Sequence, residues 1–336
     1  MQNTDCSLSC KMDNEIKQSC EMCRAYERTR EIEIFGKKLT VKNYICSPDG
    51  INYRKKPENV EMQLFINMLT FCPAGCRFCV AKDTKLERKI DTEKLSSVMR
   101  ALKQESRVRG IKITGGEPFY DIGLLNETIS ILYEIFGYDL ELSVSTNGIG
   151  LSNLQKIKDL SHLEAIHISR HHYDDRVNRE IFGLPDSDKA RIPSGDELKE
   201  IVESISYKDI FVFNCLLLKD YINSPEEAHR FMDFAIETGV PKVGFVTCSP
   251  INEYARQQTV AYEAVIKEDD PSLLFTRGFF DYEYCHCSDG VYSSEDGRIV
   301  EFYGKSTKME KYRYCRGIVY DADNHLKDGF GGEIII

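Results

Sequence analysis

Six short segments whose apolar residues alternate, each followed by a stretch with a helical stripe, limit what this chain can fold into more than any other feature. They lie at 61–71, 110–114, 141–146, 164–169, 210–216 and 242–247. Strict alternation of strand and helix is the pattern of a parallel sheet or barrel, because parallel neighbours need a long crossover and a helix supplies it. The intervening helices carry their own end signals. Ser194-Gly-Asp-Glu197 and Ser224-Pro-Glu-Glu227 fit capping boxes, with Pro225 at the first helical position, and Gly239 stands where a helix would stop. The length of 336 residues suits such a barrel with appendages, and an apolar content of 42% is enough for a sizeable interior.

Strand phase adds a statement about the inside. If Ile111 and Ile113, Leu142 and Val144, and Ile166 and Ile168 face the helices, the opposite face carries Lys112, Thr114, Ser143, Ser145, Asn147, His167 and Ser169. Asn214 joins them if Phe211 and Phe213 pack outward. A complete eight-stranded barrel fills its interior with branched apolar side chains. A polar inner face therefore predicts a wet lumen that holds a ligand.

Three motifs sit at the ends of these strands. The first is Phe71-Cys-Pro-Ala-Gly-Cys-Arg-Phe-Cys79, which spaces Cys72, Cys76 and Cys79 as C-x3-C-x2-C. Cysteine thiolates are the usual holders of iron-sulfur clusters, and three of them leave one iron of a cubane open to another molecule. Spacing alone also allows a zinc site short of its fourth ligand, or three unrelated buried thiols. The second motif, Gly110-Ile-Lys-Ile-Thr-Gly-Gly-Glu-Pro118, ends a strand in a glycine pair where a backbone can approach a ligand closely. The third, Leu142-Ser-Val-Ser-Thr-Asn-Gly148, closes on hydroxyls and an amide suited to hydrogen-bonding a ribose or a carboxylate.

On these residues the chain resembles the radical SAM superfamily over 61–250. The resemblance implies an α/β fold: a partial (β/α)6 TIM-like barrel at 59–250, a Cys-containing N-terminal leader and hairpin at 1–58, and a small C-terminal α+β extension at 251–336. It implies a 4Fe-4S cluster on Cys72, Cys76 and Cys79 whose open iron takes the amino and carboxylate groups of S-adenosylmethionine. Gly115, Gly116, Glu117 and Pro118 would meet the methionine end of that cofactor. Ser145, Thr146 and Asn147 would meet its ribose, with Ser169 and Arg170 completing the set. The activity implied is reductive cleavage of S-adenosylmethionine to a 5'-deoxyadenosyl radical that removes a hydrogen from substrate, fed by a reductant such as flavodoxin or ferredoxin.

In layout the chain is similar to the SPASM and molybdenum-cofactor cyclase branches, which points to a peptide or protein side chain as substrate. A small molecule or nucleotide is the alternative, favoured by the lack of a recognisable leader-peptide domain. A non-catalytic iron-sulfur electron carrier or regulator is a different class that the motifs alone leave open.

The segment Ile168-Ser-Arg-His-His-Tyr-Asp-Asp-Arg-Val-Asn-Arg-Glu-Ile-Phe-Gly183 follows the fourth strand and is dense in titratable groups. His171, His167 and Tyr173 are the candidates for tuning the chemistry, and Arg170 could pair with a carboxylate of cofactor or substrate. The plainer account makes Asp174 or Asp175 a helix cap and places the histidines on an exposed flank.

The chain has 13 cysteines, an odd number, and no secretory signal at its first residues, which favours reduced thiols and a cytoplasmic location. Cys6, Cys10, Cys20 and Cys23 fall within eighteen residues and are either a zinc or second-cluster site or scattered thiols. Cys285, Cys287 and Cys315 pose the same choice for an auxiliary cluster in the tail. A net charge of -10 argues against a nucleic-acid partner held by surface charge. No run approaches the ~18 apolar residues that span a bilayer, so no membrane is expected.

Overall fold

The computed structural model describes residues 29–42, 44–46, 53–55, 62–79, 87–105, 108–184, 191–267, 273–278, 290–294, 299–303, 315 and 317–336. Cys6, Cys10, Cys20, Cys23, Cys285 and Cys287 lie outside the described residues. The chain opens with strands β1 (Thr29–Ile34) and β2 (Lys37–Lys42), an antiparallel pair. Their two-residue turn is Phe35-Gly36, and both of its residues have positive φ, at 51° and 76°. That is the conformation whose twist matches a hairpin. A second short pair, β3 (Tyr44–Cys46) and β4 (Tyr53–Lys55), follows.

The body is one sheet. Strands β5 (Met62–Asn67), β6 (Val108–Thr114), β7 (Glu141–Thr146), β8 (Ala165–Ser169), β9 (Phe211–Leu217) and β10 (Lys242–Thr247) lie side by side in chain order and all run parallel. The first ends at Asn67 rather than Phe71, because the chain beyond it leaves the ladder. Met68 N–H still bonds to Thr114, but Thr70 N–H turns to the Arg88 carbonyl at 3.0 Å.

Residues beyond 250 extend this sheet at both edges. Strands β11 (Leu273–Gly278), β12 (Gly290–Ser294) and β13 (Ile299–Tyr303) add to one side, with β13 parallel to β10. Strand β14 (Gly317–Tyr320) joins the other side parallel to β5, and β15 (Leu326–Lys327) caps it. Eight parallel strands result, from β13 to β14, and among the described residues no pairing closes them into a complete barrel.

Helices cover one face of the sheet. They are α1 (Thr92–Glu105), α2 (Ile122–Phe136), α4 (Gly195–Glu203), α5 (Pro225–Glu237) and the short α7 (Tyr262–Val265), while α3 (Asp175–Ile181) and the short α6 (Glu253–Gln257) pack in a separate apolar cluster with Leu218 and Cys248. Helix α1 buries Leu95, Met99 and Leu102, and α5 buries Phe231, Phe234 and Ala235, the i, i+3, i+4, i+7 spacing of a single apolar stripe. Ser194 and Glu197 form a reciprocal capping box, Ser224 caps α5 above Pro225, and Gly239 past its end takes φ 73°. Against this layer the sheet packs Ile111, Ile113, Leu142, Val144, Ile166, Ile168, Phe211 and Phe213, all buried. The opposite side chains Lys112, Thr114, Ser145, His167, Ser169 and Asn214 are only partly buried and line the inner face. No helix among the described residues is long and apolar enough to cross a membrane.

Candidate functional site

The carboxyl ends of parallel strands are where open α/β sheets bind ligands, since loops gather there and helices begin there. In this chain the loop 68–79 leaves β5 and runs directly under the glycine pair that leaves β6. Gly116 N–H donates to the Leu69 carbonyl at 2.7 Å, and Glu117 N–H to the Phe71 carbonyl at 2.9 Å. A methyl group on Gly115 would lie 2.6 Å from the Leu69 carbonyl oxygen, and one on Gly116 would run into the Phe71 carbonyl. Only glycine permits the two backbones to touch.

Glu117 fastens the third motif to the same spot. Its carboxylate is fully buried and accepts from Thr146 Oγ1 at 2.6 Å, Asn147 N–H at 2.7 Å and Phe119 N–H at 3.0 Å. Burial pushes its pKa up to about 7, against the lowering effect of these three donors. Both oxygens are thus committed inside the protein. The Glu117 side chain ties the β6 turn to the end of β7, and Pro118 starts a short 3-10 turn that the same carboxylate caps. Asn147 then reaches the cysteine loop, with Nδ2 donating to Cys72 Sγ at 3.3 Å. Ser145 and Ser169 face the lumen from β7 and β8.

The cysteine loop is clamped from two further sides. Gly75 N–H donates to the Phe182 carbonyl at 2.8 Å, and a Cβ on Gly183, whose φ is 56°, would stand 2.8 Å from the Gly75 carbonyl oxygen. Asn252 caps α6 through Oδ1 while its Nδ2 donates to the Arg77 carbonyl at 3.0 Å, and the Arg77 guanidinium lies 4.0 Å over the Tyr254 ring. Sequence reasoning did not single out Asn252, Tyr254 or the Gly75–Gly183 contact. An asparagine followed by Glu253 was a legible helix start, but its second bond to a loop 175 positions away carries no local signal. Gly183→Ala is expected to lose about 1–2 kcal/mol from the left-handed backbone alone and to displace the loop as well. A melting curve and an iron assay on the same preparation check this; unchanged iron content would show that the loop does not lean on Gly183.

Cys72, Cys76 and Cys79 are partly buried on this clamped loop. Burial pushes the Cys72 thiol up to about 11, with the negative charges of Glu117 and Cys79 adding to it. A thiolate there needs a strongly positive partner, which a metal centre provides. The donor set fits an iron-sulfur cluster: three sulfurs on one short loop, amide donation to a sulfur, and a rim with polar groups on one side.

The other candidates divide sharply. Arg170 is 1% exposed; its Nε donates to the His172 carbonyl at 2.7 Å, Nη1 to Pro193 at 3.2 Å and Nη2 to Tyr173 at 3.1 Å. It also pairs with Asp175, and burial lowers its pKa against the pull of that carboxylate. His171 Nδ1 accepts from Leu216 N–H at 3.1 Å, and the ring stacks on Phe182 and meets Phe78 edge-on. Burial and then Arg170 lower its pKa to about 3, which keeps it neutral. His172 Nδ1 accepts from Asp174 N–H, and Tyr173 donates to Glu227 at 2.9 Å. Asp174 caps α3. The structure therefore places His171, Tyr173 and Arg170 in the packing beneath the rim. His167 alone among the three catalytic candidates opens to the lumen, where Asn214 lies 3.4 Å from its Nδ1.

A parallel sheet that carries three thiols on one loop and a glycine ledge at its strand ends belongs to the class of α/β proteins that bind ligands at the carboxyl ends of their strands. The model of the radical SAM superfamily matches residues 66–232, the part that runs from β5 into α5. The chain belongs to this superfamily, whose members use a 4Fe-4S cluster and S-adenosylmethionine.

Similar curated proteins include a probable GTP 3',8-cyclase of Sulfurisphaera tokodaii, 25% identical over 213 residues that make up 61% of this chain and 63% of that protein. A probable GTP 3',8-cyclase of Metallosphaera sedula is 28% identical over 192 residues, 56% of each chain. The match thus spans less than two thirds of the length of either relative. Among solved structures, SuiB of Streptococcus suis bound to S-adenosylmethionine superposes with a TM-score of 0.52 at 13% identity, covering 81% of this chain and 61% of that one. At that identity the likeness is one of fold.

Proposed function

We propose that this chain is a radical SAM enzyme in which Cys72, Cys76 and Cys79 hold the cluster and the enclosed polar lumen takes a small molecule or nucleotide. The observation that carries the reading is the cysteine loop locked by backbone bonds to the Gly115–Gly116 turn, directly above a lumen lined by Lys112, Ser145, His167, Ser169 and Asn214. The similarity to probable GTP 3',8-cyclases favours the nucleotide side of that choice over a peptide side chain. Support for a peptide substrate comes from SuiB, which has also been solved with its precursor peptide, but that likeness rests on 14% identity and a TM-score of 0.52.

Cys72, Cys76 and Cys79 would hold the cluster, which when reduced would supply one electron to the sulfonium of bound S-adenosylmethionine, and the chemistry so supplied would be hydrogen removal from substrate by a 5'-deoxyadenosyl radical. The protein orients and shields. Gly115 and Gly116 let the cysteine loop lie against the turn after β6, where a Cβ would strike the Leu69 and Phe71 carbonyls, and Asn147 fixes one sulfur through its amide. Phe78, packed on His171, closes one flank of the loop with apolar surface, and such surface keeps water from a reactive species. His171 at neutral charge holds Phe78 and Phe182 in place and moves no proton. Ser145 and Ser169 offer hydroxyls toward the ribose from the inner face. An external one-electron donor such as flavodoxin or ferredoxin completes the cycle, and the thiol-based site suits the reducing cytoplasm.

Protein purified without oxygen and reconstituted with iron and sulfide tests this reading. On adding S-adenosylmethionine and a strong reductant it is expected to form 5'-deoxyadenosine, with GTP and other nucleotides raising the yield. Absence of 5'-deoxyadenosine from protein that carries a full cluster would leave the electron-carrier reading in its place.

A further inference from the structure

Two lysines and a histidine share the inner face of the sheet. Lys112 stands on the inner face of β6, paired in register with Ser143 and through it with Ala165, two residues before His167. Lys242 opens β10 and shares a row with His167 through Val212 on the strand between them. The three basic groups feel one another: Lys242 acts on Lys112, and both lysines act on His167. Among the described residues no carboxylate counts among the groups that shift either Lys112 or His167.

Lys112 is the informative member. Among the described residues its ammonium has neither a hydrogen-bond nor an ion-pair partner, although protein encloses it on most sides. Burial first, and then Lys242, pull its pKa down to about 8. An enclosed cation facing a second cation costs stability that an apolar side chain of the same length would not. Chains tend to keep such local conflicts where a ligand resolves them. His167 adds a neutral partner. Its pKa lies well below the ordinary value through burial and the two lysines, and Asn214 Nδ2 lies 3.4 Å from its Nδ1.

Resting on the enzymatic reading above, we propose that the substrate carries an anionic group, phosphate or carboxylate, which Lys112 and Lys242 grip deep in the lumen with His167 and Asn214 beside them. Lys112 lies three residues before Gly115, roughly 10 Å down the strand from the glycine ledge at 3.3 Å per residue. The anion is therefore held away from the reacting carbon, where its binding energy positions the substrate without entering the bond changes. The overall charge of -10 makes general attraction of anions to this protein weak, so binding has to come from a local site.

The test uses the full chain with its cluster in place and S-adenosylmethionine bound, titrated calorimetrically without oxygen against pyrophosphate and, separately, malonate. At least one anion is expected to bind, and Lys112→Gln and Lys242→Gln are each expected to weaken it by tenfold or more, with Lys112→Arg recovering part of the loss. Preference for pyrophosphate assigns a phosphorylated substrate, and preference for malonate a carboxylate. Lys112→Met is expected to raise the melting temperature of the anion-free protein, which also shows that the variant folds. Wild-type protein that carries its cluster and binds S-adenosylmethionine, yet takes neither anion or takes one regardless of Lys112→Gln, would overturn this proposal alone. Failure to hold the cluster or S-adenosylmethionine would instead strike the enzymatic reading.

Discussion

Cys72→Ala is expected to abolish 5'-deoxyadenosine formation and to strip most of the iron from the reconstituted protein, while leaving the fold intact. The geometry explains why the loss is complete rather than graded. Cys72 is one of three thiols on a loop whose path is fixed by Gly116, Glu117, Phe182 and Asn252, so the loop cannot shift to bring another of its own groups into the place of the lost sulfur. Outer-sphere changes at metal sites cost ~10- to 100-fold. Asn147→Ala, which removes the amide that donates to Cys72 Sγ at 3.3 Å, belongs to that graded class. Removal of a ligand exceeds it.

Stability should barely suffer, because Cys72 is only partly buried and burial in the metal-free protein works against its thiolate. Iron counting, the visible spectrum and product analysis on the Cys72→Ala, Cys76→Ala and Cys79→Ala proteins measure this. If all three kept their iron and differed only in melting temperature, these cysteines would be packing residues and the proposed centre would lie elsewhere.

Much of this architecture could be read from residue order because the relevant signals are local. The six strands fall within a few residues of their expected bounds, and the branched residues Ile111, Ile113, Ile166 and Ile168 all turn to the helices, since period-two alternation is a property of each strand alone. Ser194, Pro225 and Gly239 mark helix ends for the same reason. What escaped detection depends on distant partners. The pairing of β13 with β10 and of β14 with β5 turns tail segments into edge strands of the central sheet, and short tail strands carry no hint of which edge they join. The first strand ends early because Gly116 captures the Leu69 carbonyl, a contact between residues 47 positions apart.

At the site, motif spacing located the loop, the glycine pair and Asn147, but not the direction in which side chains point. Glu117 and Thr146 satisfy each other instead of facing the rim. The run of titratable groups from Arg170 to Asp175 looked like a reactive surface because composition cannot distinguish a charged face from a charged knot. In the structure its members bond to backbone groups, to one another and to α5. Lys112 and Lys242 show the converse, two ordinary-looking strand lysines that the sheet brings into one chamber.

Arg170→Met is expected to destabilise the protein by about 3 kcal/mol or more while leaving its affinity for S-adenosylmethionine nearly unchanged in the fraction that stays folded. The guanidinium donates to the carbonyls of His172, Tyr173 and Pro193 and pairs with Asp175, so it joins the loop after β8 to the segment that begins α4. Methionine fills much of the volume, and its thioether donates nothing. Each buried acceptor left without a donor costs about 1–3 kcal/mol. Recovery of the arginine's own desolvation offsets part of that sum, and Asp175, half exposed, stays hydrated. Lysine is a poor substitute because a point-like ammonium cannot reach three carbonyls that a planar fork meets at once, so Arg170→Lys should recover less than half of the loss. Phe234 beneath the guanidinium, at 4.7 Å, loses its cation partner in the methionine variant only.

Denaturant unfolding without oxygen measures the stability, and equilibrium binding of S-adenosylmethionine measures the rest. The pair of readouts separates two roles for the same residue. An arginine that gripped a cofactor carboxylate would show weakened binding with little change in unfolding. A knot beneath the rim gives the reverse, and wild-type unfolding of Arg170→Met would refute the placement derived from its four partners.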